Sequence, residues 1–329
     1  MRHTASMKRL FVVILLAAFA LAVAVPSGAA PKKSQYTYLI GSTPQFAPIV
    51  AAVHKGFYKK LGLNVKLKHF TSGGVAAQSF IAGRGDFVNT GDWPAVRTWL
   101  QTKGKIVGVH PSAHYTELSV VVAKKGIKSA KDFIGKTMGV WLGTTSEFFA
   151  AKYLDANGVK LSDVKYKNVK PAEMVVALDR GDLDGFTIWQ PFGWRSVEVS
   201  GAKKVHILST GKGFFTEYMV TSARKDLIDN DFDAVTALIK GTIQGAEFSA
   251  KNLDEAAKIV GKEFKVPAEK AGRMIKVMNM DVSYTQQFRK DMDDLNNFMI
   301  SKGKSKAKVN WGALFDSRGL KSVSPKLIK

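Results

Sequence analysis

Two stretches, Gly83-Arg84-Gly85-Asp86-Phe87-Val88-Asn89-Thr90-Gly91-Asp92-Trp93-Pro94 and Arg180-Gly181-Asp182-Leu183-Asp184-Gly185-Phe186-Thr187-Ile188-Trp189-Gln190-Pro191, follow the same plan. Each runs from a helix end through a glycine turn and an aspartate into a short apolar strand. Each then presents a tryptophan and a proline that opens the next element. Such an echo is what two similar α/β halves in one chain produce. Outward from the first copy, Tyr36–Ser42, Leu63–Phe70, Phe87–Thr90 and Ile106–His110 read as strands. In Leu63–Phe70, Leu63, Val65 and Leu67 alternate with Asn64, Lys66 and Lys68, the period of a strand. Helices are expected between them at Pro48–Lys55, Val75–Ala82 and Pro94–Gln101. Around the second copy, strands are expected at Leu118–Ala123, Thr137–Leu142, Val164–Val169, Gly185–Trp189 and Phe214–Ser222. Helices are expected at Ala130–Ile134, Ser146–Ala156 and Pro171–Arg180, with four more at about 231–249, 253–264, 267–279 and 285–301. This alternation predicts parallel sheets built from βα units.

The 329 residues suffice for two domains, and 46% hydrophobic against 23% charged residues excludes a disordered or fibrous chain. With no cysteine, the sequence excludes disulfides, thiolate metal sites, cysteine nucleophiles and a lipidated-cysteine anchor. At the N-terminus, Arg2, Lys8 and Arg9 precede an apolar run from Leu10 to Val25, followed by Pro26, Ser27, Gly28 and Ala29. This is the pattern of a signal peptide cleaved near Ala29. The run is too short for the roughly 20 residues a membrane span needs. A soluble, periplasmic mature protein is therefore expected. The net charge of +22 is concentrated in part at the C-terminus, where eight Lys and Arg residues from Lys302 to Lys329 face Asp316 alone. That segment reads as a flexible, solvated tail. No nucleic-acid reader motif accompanies the charge.

Loops at the C-terminal ends of parallel strands are the binding face of open α/β sheets. Those loops hold Ser42, Thr43 and Gln45; Ser72, Gly73 and Gly74; Thr90, Asp92 and Trp93; Thr144, Thr145 and Ser146; and Trp189. Helix-start N–H groups and Ser/Thr hydroxyls suit a small oxyanion. Ser72, Asp92 and Thr144 also suit helix capping, and Thr144 with Glu147 fits a capping box. The two tryptophan loops are expected to face each other across a crevice, with Trp93 or Trp189 on the ligand. Asp92, Glu117, Glu147 and Glu217 are the charged residues near these loops, which carry no Lys or Arg of their own. His110, His114 and Glu117 lie close in sequence, but Pro111 breaks the helix that would align the histidines. No P-loop, nucleophile elbow or zinc-protease motif occurs. Neither a catalytic residue, a cofactor nor a metal is expected.

In combination, several passages resemble the periplasmic substrate-binding proteins of ABC importers for nitrate, sulfonates and taurine. They are Lys55 to Val65, Gly83 to Phe87, Thr90-Gly91-Asp92, Ser129 to Thr137, Gly143-Thr144-Thr145-Ser146 and Asp184 to Pro191. The likeness covers roughly Tyr36 to Ser222. Gln190 stands where many relatives carry an acidic residue. The resemblance implies a type II periplasmic-binding-protein architecture of two Rossmann-like lobes joined by two crossover strands. Lobe one would comprise about 34–115 and 218–329, lobe two about 118–213, with crossovers near Tyr115–Ser119 and Phe215–Tyr218. It further implies a monomer that binds a small anionic or zwitterionic ligand and delivers it to a permease in the inner membrane. The alternatives are a receptor for a pyrimidine precursor, or an enzyme of the thiamine-pyrimidine type, which shares the fold but carries a cysteine-rich motif.

Overall fold

The echoing halves build two separate five-stranded sheets. The computed structural model describes residues 31–306 and 308–329, so the signal-peptide expectation for residues 1–29 lies outside the described residues. The strands are β1 (Tyr36–Gly41), β2 (Val65–Phe70), β3 (Phe87–Gly91), β4 (Ile106–Tyr115), β5 (Ser119–Lys124), β6 (Thr137–Val140), β7 (Lys165–Asn168), β8 (Gly185–Trp189), β9 (Val205–Thr210) and β10 (Glu217–Arg224). Sheet one is ordered β2-β1-β3-β10-β4 and sheet two β7-β6-β8-β5-β9.

The echo has a physical cause. The Asp86 carboxylate accepts from the Thr37 N–H at 2.8 Å, and that of Asp184 accepts from the Thr137 N–H at 2.9 Å. The N–H of each aspartate also donates to the carbonyl of the same threonine. Each aspartate thus fixes the start of its strand against the neighbouring parallel strand, β3 against β1 and β8 against β6. Asp184 thus serves backbone geometry at the start of its strand.

Neither sheet is wholly parallel, contrary to expectation. In sheet one, β10 runs antiparallel to both β3 and β4. In sheet two, β5 runs antiparallel to β8 and β9. The reason lies in the connections. The chain leaves sheet one at the end of β4, where the parallel strands also end, and crosses through residues 116–118 into β5. Ser119 at the start of β5 pairs with Trp189 at the end of β8, so β5 must run backwards. The return through residues 211–216 is equivalent, with β10 starting beside the end of β3. Both crossings join the same kind of edge, so the C-terminal edges of the two sheets face each other. Pro111 sits in β4, the edge strand, at an irregular pairing, where a missing N–H costs least.

Strand β9, the helix Phe192–Ser200 and the short helices Phe57–Lys60, Lys225–Asn230, Trp311–Leu314 and Arg318–Val323 are not among the elements expected from the sequence. The expected helix at Ala130–Ile134 is a single 3₁₀ turn, Lys131–Phe133. The basic tail is also not a free tail throughout. Leu314, Phe315 and Leu320 are buried, and Phe315 bridges to Gly108 of β4. A methyl group on Gly108 would come within 2.6 Å of the Phe315 ring. These apolar side chains, spaced among the lysines, anchor the segment on sheet one. Among the described residues, no helix is long and apolar enough to cross a membrane.

Candidate functional site

The facing edges enclose a cavity of about 50 Å³. Sheet one contributes Thr43, Gln45 and Phe46 after β1, and Ser72, Gly73 and Gly74 after β2. It also supplies Gly91 at the end of β3, Tyr115 at the end of β4, and Glu217 and Met219 at the start of β10. Sheet two contributes Trp141, Thr144 and Thr145 after β6 and Trp189 at the end of β8.

Two helix starts reach this cavity. The helix Gly73–Ile81 is capped by Ser72, whose Oγ accepts from the Val75 N–H at 3.2 Å. The helix Thr145–Ala156 is capped by Thr144, whose Oγ1 accepts from the Ser146 N–H at 3.2 Å. The first turns of both helices carry N–H groups without intrahelical acceptors and the positive end of the helix dipole. Glu147 completes the second cap differently from a capping box: its Oε2 accepts from the N–H of Gly143 at 2.7 Å. Gly143 has φ of 73°, a conformation that favours glycine, and this turns the loop into the helix.

The lining is also aromatic and acidic. The Trp141 and Trp189 rings lie 6.0 Å apart at 37°. Glu217 accepts from the Ser119 hydroxyl at 2.5 Å, and a methyl on Gly91 would crowd Glu217 Oε1 and Thr145 Oγ1, each at 3.2 Å. Burial pushes the Glu217 pKa up, and the nearby Asp92 charge pushes it further. Burial likewise raises that of Asp92, against the opposing pull of the Trp93 N–H, the Thr145 hydroxyl and the Tyr218 N–H. Among the described residues, no Lys or Arg lines the cavity.

Of the residues singled out from sequence, Thr43, Gln45, Ser72, Gly73, Gly74, Thr144, Thr145 and Trp189 come together around this space. The others lie elsewhere. Asp92 is one layer back, accepting from the Thr145 hydroxyl at 3.0 Å and so joining the two sheets' loops. Ser146 is buried and donates to the Thr187 carbonyl at 2.6 Å. Thr90 is buried and donates to the Gly91 carbonyl. Ser42 is exposed and bonds the Phe70 carbonyl, and Glu117 is exposed in the crossover. Trp93 is 1% exposed and packs edge-on to Phe298 at 5.9 Å. The two tryptophan loops are therefore not mirror images: Trp93, inside the helix Asp92–Thr102, turns into the core, whereas Trp189 ends its strand at the cavity. Trp141, Phe46, Tyr115 and Met219 were not anticipated, because apolar residues at strand ends look like core in a sequence. His110 lies buried in β4 with its pKa pushed down to about 4 by desolvation. Among the described residues, no group of three His, Cys, Asp or Glu side chains is arranged to hold a metal ion.

Residues 43–256, about two thirds of the chain and including both walls of the cavity, match the family described as NMT1/THI5 like. The chain belongs to this family. A protein of Brucella abortus (strain 2308) described as a binding protein is 29% identical over 225 residues, 65% of this chain and 66% of its own length. The chain thus matches just under two thirds of that relative. The taurine-binding periplasmic protein of Escherichia coli (strain K12) is 27% identical over 206 residues, 62% of this chain and 63% of its own. Among solved structures, the alkanesulfonate-binding protein SsuA from Xanthomonas axonopodis pv. citri, bound to MOPS, superposes with a TM-score of 0.74. It covers 88% of this chain and 100% of its own at 14% identity, a likeness of fold.

Proposed function

We propose that this protein is an exported solute receptor of an ABC importer, binding a small anionic or zwitterionic molecule between two lobes and handing it to a permease. The observation that carries this reading is the cavity itself. It is walled by strand-end loops from both sheets, and the two sheets are connected through residues 116–118 and 211–216. A fold of this kind opens and closes by rotation about its crossings. In this reading the lobes are 34–115 with 218–329, and 118–213. The hinge is at Tyr115–Ser119 and Phe215–Tyr218. The helix starts at Gly73 and Thr145 hold the negative end of the solute. Relatives described as binding proteins, one of them periplasmic and taurine-binding, support receptor rather than enzyme. The absence of cysteine argues in the same direction, against the thiamine-pyrimidine enzymes. The protein reaches the periplasm by cleavage near Ala29, which the intact mass of exported protein reports.

The test is thermal unfolding of purified mature protein with taurine, ethanesulfonate, nitrate and bicarbonate. A ligand at about 100 times its dissociation constant stabilises by roughly 2.7 kcal/mol, so a true solute raises the melting temperature in a concentration-dependent way. No shift with any of them refutes the assignment.

A further inference from the structure

The polarity of the cavity is uneven. Helix starts at Gly73 on sheet one and Thr145 on sheet two supply donors, whereas Gln45 and Glu217, both on sheet one, supply acceptors. Gln45 is 2% exposed, and its Nε2 donates to the Gln190 carbonyl at 3.1 Å. That bond fixes the orientation of the amide and leaves Oε1 as the acceptor, which is buried without a hydrogen-bond partner. An unpaired buried acceptor is costly; the polar group of the protein beside the Gln45 amide is the Tyr115 hydroxyl, which also lies against Glu217, and a solute donor would satisfy Oε1. Glu217, 4% exposed, lines the same cavity. The titratable groups packed against it are Asp92 at the start of its helix and Tyr115 on β4. Behind Asp92, Asp291 accepts from the Tyr218 hydroxyl. The nearby guanidinium of Arg97 is turned away to the Gly143 carbonyl at 3.3 Å and does not line the cavity. A carboxyl group so placed has no positive partner, while the same cavity is lined by Phe46, Tyr115, Trp141 and Trp189, residues whose rings can attract a cation.

We infer that the solute carries a protonated nitrogen, seated between Gln45 Oε1 and the Glu217 carboxylate and walled by the aromatic rings. The solute class is thus a short zwitterion, with its anionic group at the helix starts, and not a simple oxyanion. This rests on the receptor reading above. It has a thermodynamic consequence. Burial raises the Glu217 pKa to about 8, so the empty site holds a proton near neutral pH. A cation arriving beside the carboxyl group displaces that proton.

Calorimetric titration with two matched pairs, taurine against ethanesulfonate and β-alanine against propionate, tests the inference. The amino member of at least one pair is expected to bind about tenfold or more tightly than its deamino partner, the worth of one charge-assisted hydrogen bond. In buffers of different ionisation enthalpy at about pH 6.5, its binding is expected to release up to about one proton. That measurement needs no variant. In Glu217→Gln, the preference is expected to fall to within about threefold. Deamino partners binding as tightly as the amino compounds overturns the inference and leaves the receptor reading standing. If none of the four binds while nitrate or bicarbonate does, the inference falls and the receptor reading stands; if none of all six binds, the receptor reading fails as well.

Discussion

Replacing Thr145 by Val probes the contact that joins the loops of the two sheets beside the cavity. Thr145 is 4% exposed, and its hydroxyl donates at 3.0 Å to Asp92, which is 1% exposed. Val keeps the branched shape and removes only the donor. A hydrogen bond to a charged partner contributes about 1.5–3 kcal/mol, and one between neutral groups about 0.5–1.5 kcal/mol. Asp92 is in turn both kinds of partner. Burial lifts its pKa from 3.8 to about 6. Between those values the folded protein binds more protons than the unfolded chain, so the contribution of Asp92 to stability declines as pH rises through that window. Thr145 opposes the shift, because its hydroxyl stabilises the ionised form. Without it, the ionised carboxylate keeps the N–H of Trp93 at 2.6 Å and the long 3.4 Å contact to the N–H of Tyr218. The variant is therefore expected to lose about 0.5–1.5 kcal/mol at pH 5 and about 1.5–3 kcal/mol at pH 8, measured by urea unfolding. Thr144→Ala serves as the control. It removes the cap on Ser146 N–H and should cost about 1 kcal/mol at both pH values. Equal losses for Thr145→Val at the two pH values would show that Asp92 does not change charge there, and the electrostatic account of the site would fall.

Two further outcomes are expected. Trp189→Ala removes half of the Trp141–Trp189 wall and should weaken taurine binding by about 2–30-fold and reduce the ligand-induced fluorescence change, leaving the part due to Trp141; unaltered affinity would reassign Trp189 to the surface. Gly245→Ala improves helix propensity in Phe232–Lys251 by up to about 1 kcal/mol, yet its methyl would lie 2.0 Å from the Pro48 carbonyl, so a net loss of about 1–3 kcal/mol is expected in thermal melts, and a gain would contradict the packing described.

The sequence by itself determined the local features and the repetition. Glycine turns, Asp86 and Asp184, and the apolar runs that follow them define the same βα unit twice, because each signal acts within a few residues of itself. The hydroxyl- and glycine-rich loops were legible for the same reason, since Ser72 and Thr144 cap helices that begin at the next residue. Tertiary structure decided which of these loops meet. The reversed direction of β5 and β10 follows from where the chain crosses between sheets, and no short-range signal encodes it. The reversed β10 brings Glu217 and Met219 at its start to the edge that faces Thr145 and Trp189. Packing also separates Trp93 from Trp189, whose surroundings in sequence are alike but whose neighbours in space are Phe298 for one and Trp141 for the other. Likewise, only packing shows that Leu314, Phe315 and Leu320 hold down a segment whose charges suggest a free tail. Caps and turns are fixed by neighbours in sequence. The charge state and partners of a buried carboxyl group depend on which distant residues surround it, and the fold brings those together.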